Sequence, residues 1–401
     1  MKICIDATPL GTRTNDKGGV YRYIWKLVES ISSIDHDNTY TLFFNFFRKE
    51  HYPVFRETVK RLKVGKNFCV KLSRFPVRLQ QFINPPAELL AGGFDIFHGC
   101  FDYLRPILYG KGIVTIHDIR YLESDEYEED PAWIDILKRT APSPELFVTD
   151  CLSRKYLFTH LRSNIIKTVQ RADAVITVSE FSRARIVEKL GIPADNVKVI
   201  YPGIDDKFAR PDEKTIQDVR IKFGIRKRYI LYVGKFEPQK NIMRLLEAFK
   251  KVLSNEEVCL VMAGPVNWYY FVVLEKAKQL GISDDVVFTD FIEDEDMAAL
   301  YSGASAFVFP SLYEGFGLPL LEAMACGVPI VTSHVCSIPE VVGDSACFAD
   351  PFSADDIADK IVHCLQDAAE GSSLINAARD RSRLFTWKNT ALKTINAYTS
   401  L

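Results

Sequence analysis

The residues of this chain whose types and spacing could do chemistry are two glutamates, two lysines, a histidine and two glycine-rich loops. Glu314 and Glu322 bracket the densest stretch, AFVFPSLYEGFGLPLLEAMACGVPI over 306–330, with seven residues between them. It reads as strand, proline-serine turn, glycine loop, helix and strand. With a helix starting near Gly317, each residue turns ~100°, which puts Glu322 about one and a half turns in and leaves Glu314 on the loop ahead. Gly315 opens the loop, and the backbone N–H groups of Phe316, Gly317 and Leu318 lie at the positive end of the helix dipole, an anion site. Upstream, Lys235 and Lys240 in VGKFEPQKNIMRL flank the start of another helix. Two ammonium groups and a helix N-terminus suit a diphosphate, whose developing charge as a leaving group they would meet. Carboxylates beside an anion site make sense for a ligand that carries phosphates and hydroxyls together, as a nucleotide sugar does.

Three further features are weaker signals. Gly18 and Gly19 open a helix after the first strand, although glycine pairs open helices for many reasons. His117, at the end of VTIHD, can hydrogen-bond a sugar hydroxyl, but a lone histidine is often satisfied within the fold. Asp294-Glu-Asp296 has D-x-D form but starts the helix DMAALY, where acids meet the dipole. No other oxygen-ligand cluster suggests a metal, so no cofactor is expected. Asn241 is placed to cap the helix that follows Lys240.

These residues need strands and helices to hold them. Short apolar runs alternate with helices: 2–6, 40–46, 94–99, 113–118 and 174–180 in the first half, then 229–234, 258–264, 286–292, 306–310 and 329–333. That alternation predicts α/β domains with parallel sheets covered on both faces. A chain of 401 residues is too long for one core, so two domains are expected. The proline- and charge-rich segment 201–213 marks the junction. Two doubly wound domains would then face across a cleft, with ligands beyond the carboxyl ends of the strands.

Composition fits a soluble enzyme, with 47% hydrophobic and 25% charged residues. Residues 1–200 carry 29 Lys and Arg against 24 Asp and Glu, and the remainder carries 21 against 28, so an anionic partner suits the first half better. Ten of those basic residues fall in 48–78, interleaved with aromatics, against two acids; six acids fall in 123–130. A solvated surface explains both, and an anionic acceptor or anionic membrane surface is the sharper reading of the basic stretch. No nucleic-acid module accompanies it. Nine cysteines without a C-x-x-C pair read as buried free thiols in a reducing compartment. The start reads as a strand rather than a signal peptide, and no apolar run approaches ~20 residues, which points to the cytoplasm, with peripheral membrane contact through 48–78.

Taken in order, GGVYRY, IHD, TVSEFSR, VIYPGID, YVGKFEPQKNIMRLLEAF, SLYEGFGLPLLEAMACGVPIVTS and IPEVVGD resemble glycosyltransferase family 4, and they run almost end to end. The resemblance implies the GT-B fold: a Rossmann-like domain over 1–203, a nucleotide-sugar domain over 204–385, and a C-terminal helix, 386–401, packed back on the first. It implies Glu314 on donor-sugar hydroxyls, Glu322 on the ribose, and Lys235 and Lys240 on the diphosphate. The Gly19 loop would approach the diphosphate, His117 would face the sugar, and Phe291 would lie near the base. The activity implied is retaining hexosyl transfer from a nucleotide diphosphate sugar to a glycan or lipid-linked acceptor in polysaccharide or glycoconjugate synthesis. The SLYEGFGLP and YVGKFEPQKN blocks are similar to those of bacterial mannosyltransferases, which points to GDP-mannose. Two departures stand out. The family usually has arginine where this chain has Lys235, which lacks the bidentate fork, and 120–165 is longer and less regular. A sugar-nucleotide epimerase or phosphorylase of this architecture, or a non-catalytic sugar-binding subunit, are the alternatives.

Overall fold

The computed structural model describes residues 1–12, 18–76, 83–123, 162–290 and 292–401. These residues form two compact units. The described parts of Met1–Leu122, Leu157–Gly203 and Phe385–Leu401 make the first; those of Glu123–Tyr156 and Ile204–Leu384 make the second. Each is a parallel sheet with helices between its strands.

In the first unit, seven strands are β1 (Lys2–Asp6), β2 (Thr39–Asn45), β3 (Phe68–Ser73), β4 (Ile96–Gly99), β5 (Lys111–Ile116), β6 (Ala174–Thr177) and β7 (Val197–Val199). They lie in the order β3-β2-β1-β4-β5-β6-β7, all parallel. The second unit has β8 (Arg228–Val233), β9 (Val258–Ala263), β10 (Val286–Asp290), β11 (Ala306–Phe309), β12 (Ile330–Ser333) and β13 (Cys347–Ala349), in the order β10-β9-β8-β11-β12-β13. The central strands are buried on both faces: every residue of β4, β6, β11 and β12 is buried. That is why they read as continuous apolar runs.

Three strands were not predicted from the sequence: β3, β7 and β13. β3 is an edge strand with Cys69, Val70 and Lys71 all exposed, so Cys69 is also a correction to the picture of buried thiols. Its residues need not be apolar because one side faces solvent. Cys4, Cys100, Cys259, Cys326 and Cys364 are buried free thiols.

The helix Ile242–Val252 shows how the sheets are covered. Ile242, Leu245, Leu246, Phe249 and Val252 recur at helical spacing, are fully buried, and pack on the same core as Ile230, Leu260 and Val308. In the first unit the helix Trp387–Thr399 packs along the helix Gly19–Ile34. Thr386 caps it by accepting the Asn389 N–H at 3.2 Å. A Cβ on Gly203 would sit 2.1 Å from the Trp387 nitrogen, so only glycine allows that approach. Tyr398 anchors the other end: its hydroxyl meets Nδ1 of the fully buried His98 at 2.7 Å, while His98 Nε2 meets Thr115 Oγ1 at 2.8 Å. No helix among the described residues is long and apolar enough to cross a membrane.

Candidate functional site

In each sheet the chain builds outward from one strand in one direction and then jumps back to build in the other. The reversal lies between β1 and β4 in the first unit and between β8 and β11 in the second. Loops leaving the carboxyl ends of strands at such a point diverge and leave a crevice. Lys235 and Lys240 lie after β8, and the 310–317 loop lies after β11. The sequence motifs therefore meet for a topological reason.

The meeting is direct. Lys240 Nζ donates to Glu314 Oε1 at 2.6 Å, with side chains only 17% and 10% exposed. The ammonium also lies 5.3 Å from the centre of the Phe309 ring, at the end of β11. The Leu312 N–H donates to the Gln239 carbonyl at 2.8 Å, and Ser337 Oγ donates to the Glu314 carbonyl at 2.9 Å. The two loops are thus tied by backbone and side chain, and Glu314 is held at both its carboxylate and its carbonyl. Lys235 is half-buried, and its carbonyl accepts the Tyr232 hydroxyl at 3.0 Å. Burial, with the Glu314 carboxylate adding to it, pushes the Tyr232 phenol well above its ordinary value, so it stays a donor.

Asn241 corrects the capping expectation. It occupies the N-cap position but its side chain accepts no helix N–H. Instead its amide donates to the carbonyls of Pro310 at 3.0 Å and Pro351 at 2.6 Å, and Arg244 donates to its Oδ1 at 2.9 Å. Its φ of +58° is the left-handed conformation that asparagine tolerates. The residue therefore bolts the 310 loop to the head of the lysine helix.

The glycine loop leads into the helix Leu318–Cys326. Gly317 is its N-cap at φ +96°, where a side chain would be strained. Gly317 has no side chain with which to cap this end, and Pro319 lacks an N–H. Gly315 is half-buried and Phe316 packs inward at 5% exposure. Glu322 points into the protein, 3% exposed, and accepts the Tyr301 hydroxyl at 2.9 Å. Tyr301, Phe309, Ser337 and the bolting role of Asn241 were missed in the sequence because each acts across a long separation. Asp294 and Asp296 lie in the first turn of the helix Asp294–Ser302 and accept Lys207 and Lys222, each at 2.6 Å. Among the described residues no group of His, Cys, Asp and Glu could hold a metal ion. Phe291 lies outside the described residues.

In the first unit, Gly18 precedes the helix Gly19–Ile34 as its N-cap. His117 follows β5. Its Nε2 faces the Cys100 carbonyl at 3.1 Å, and since a carbonyl only accepts, Nε2 carries the proton. Tyr23 meets the ring edge-on at 4.8 Å. Burial holds the imidazole below its ordinary value, so it is neutral with Nδ1 as acceptor, able to take a proton from a hydroxyl in a hydrogen bond. Asp102 Oδ1 accepts the His117 N–H at 2.8 Å. Burial and the Asp118 carboxylate push Asp102 up to about 8.

Two family models match: "Glycosyltransferase Family 4" over residues 17–208 and "Glycosyl transferases group 1" over 214–381. The O-antigen chain mannosyltransferase B of Escherichia coli is 31% identical over 306 residues, 76% of this chain and 74% of that protein. The serotype-specific mannosyltransferase WbdA of Escherichia coli is 33% identical over 61% of this chain, a match that spans 31% of WbdA. The sucrose-phosphate synthase of Thermosynechococcus elongatus superposes with a TM-score of 0.73 at 20% identity, covering 100% of this chain and 98% of that one. Two parallel-sheet units of this kind, with these loops at their switch points, make the protein an enzyme of the GT-B glycosyltransferase class. The chain belongs to glycosyltransferase family 4.

Proposed function

We propose that the protein transfers a hexose, mannose from GDP-mannose, to a hydroxyl of a glycan or lipid-linked acceptor in cell-surface polysaccharide synthesis, with retention at the anomeric carbon. The observation that carries this reading is the Lys240–Glu314 pair at the switch point of the second unit. It fixes a cation for phosphate and a carboxylate for sugar hydroxyls within one hydrogen bond. The names of the two mannosyltransferase relatives support the choice of sugar and of polysaccharide.

In this reading Lys235, Lys240 and the backbone donors of Gly315, Phe316, Gly317 and Leu318 neutralise the diphosphate as it leaves. Glu314 positions the sugar, Glu322 serves the ribose side, and the backbone near Phe291 meets the base. The Gly18–Gly19 loop approaches the diphosphate, and His117 faces the sugar being transferred. The acceptor hydroxyl attacks the anomeric carbon on the face the diphosphate leaves, its C–O bond forming as the sugar–phosphate bond breaks. The hydroxyl proton passes to the departing phosphate oxygen. The lysines supply positive charge that the reaction needs, so transfer proceeds without added metal. The enzyme works at the cytoplasmic face of a membrane that the basic 48–78 stretch contacts.

The test is a thermal-shift panel of GDP-, UDP-, ADP- and dTDP-sugars without metal, on the wild type, Glu314→Ala and Lys240→Ala. A ligand bound only by the folded state raises Tm. A shift with GDP-mannose that both variants weaken supports the reading. A shift with a different donor alone overturns the choice of mannose, and no shift with any donor overturns the site.

A further inference from the structure

The first unit carries a cavity that the transfer chemistry does not use. It measures about 900 Å³ and is lined by Phe47, Lys49, Tyr52, Pro53, Arg56 and Arg74, with the paired Arg48 and Glu50 also on its wall. Its position follows from the topology. Phe47 and Lys49 lie just beyond the carboxyl end of β2, and Arg74 lies just beyond that of β3. This is the edge of the parallel sheet where ligands bind. It is also the edge from which His117 emerges, at the end of β5. From β2 to β5 is three strand spacings, about 14 Å. A ligand reaching both places is longer than one sugar ring.

Charge and surface then narrow its chemistry. Lys49, Arg56 and Arg74 have no carboxylate partner among the described residues, whereas Arg48 is paired with Glu50 at 3.3 Å. Arg74 stacks 5.2 Å over the Tyr52 ring, which orients its guanidinium. The cavity also opens at the start of the helix Tyr52–Arg61, whose dipole adds to the positive field. Alongside the cations, Phe47 is 60% exposed and Pro53 is exposed too. Three cations without a carboxylate partner among the described residues, set against an exposed aromatic and a proline, make a site with one cationic and one apolar side. An amphipathic anion fits it better than inorganic phosphate or a flat membrane surface.

We propose that this cavity seats the diphosphate of a lipid-linked acceptor, with Lys49, Arg56 and Arg74 on its oxygens and Phe47 and Pro53 against the first carbons of the lipid. This rests on the transferase reading and specifies the acceptor within it. No bond is made or broken in the cavity. It sets how far the acceptor's reactive hydroxyl lies from its diphosphate.

The test uses the full chain with its donor site saturated by GDP, and decyl diphosphate below its micelle concentration as the probe, followed by calorimetry. One further binding event is expected. Arg56→Ala and Arg74→Ala should each weaken it about tenfold, the usual effect of losing one charge-assisted hydrogen bond. Glu50→Gln, which releases Arg48, should tighten it. The GDP-induced rise in Tm should be unchanged in all three variants, showing that they are folded. Equal binding of decyl diphosphate by wild type and both arginine variants overturns the proposal. So does inorganic phosphate binding as tightly as decyl diphosphate, or displacement of decyl diphosphate by phosphatidylglycerol vesicles that contain no diphosphate lipid. Failure of GDP to raise the Tm of the wild type counts against the GDP donor itself and is read separately.

Discussion

Removing either partner of the Lys240–Glu314 pair strands a charge in a place built to hold two. The pair is 2.6 Å apart and mostly withdrawn from water, with 17% and 10% of the side chains exposed. Breaking a buried pair by deleting one partner typically costs about 3–5 kcal/mol, because the survivor keeps its desolvation without its counter-charge. The residual exposure places this pair at the lower end, near ~3 kcal/mol for Glu314→Ala or Lys240→Ala. The double variant leaves no stranded charge, so it should cost about 3 kcal/mol as well rather than twice that, a coupling of ~3 kcal/mol. In a domain the size of the second unit, ~3 kcal/mol moves Tm by roughly 6–12 °C. Differential scanning calorimetry of the four proteins reads this, and only the transition of the second unit should move. Transfer should respond differently: Lys240→Ala should lower kcat by about 10²–10³-fold if its charge meets the leaving diphosphate. Additive single effects, with coupling under ~0.5 kcal/mol, would refute the argument that the two groups are mutually dependent.

Three other perturbations follow from the structure. Asn241→Ala leaves the Pro310 and Pro351 carbonyls without their donor and should cost ~2–4 kcal/mol in chemical denaturation; Asn241→Asp, the same size, should be worse, because its carboxylate would face two carbonyl oxygens. Gly317→Ala at φ +96° should cost about 1–2 kcal/mol of strain, and it should raise the Kd for the donor more than Gly224→Ala, a positive-φ glycine away from the loop, does. His98 is pushed down to about 3 by burial from an ordinary 6.5. The unfolded chain therefore takes up a proton that the folded chain refuses, and stability present above pH 6.5 is lost as pH falls toward 3. The urea midpoint should record a loss of about 2 kcal/mol between pH 6.5 and roughly 5; His98→Gln, less stable at neutral pH, should lose that part of the slope.

The sequence by itself determined whatever depends on near neighbours. The apolar runs that became the central strands were legible because those strands are buried on both faces, and the SLYEGFGLPLLEAM block was legible because loop, helix start and both glutamates lie within a few turns of chain. The acids at Asp294 and Asp296 could be placed on a helix start for the same reason. Edge strands such as β3 and the three-residue β7 were not legible, since half-exposed or very short segments need no apolar pattern. The tertiary structure decided the rest. Lys240 meets Glu314 across 74 residues, Asn241 reaches Pro351 across 110, and His98 meets Tyr398 across 300. No local signal marks such partners, because what selects them is the order of strands in the sheet. Reversal of that order between β8 and β11 brings the two loops together. Burial there then makes an unpaired charge or amide too costly to leave, so each polar side chain takes the partner the topology supplies.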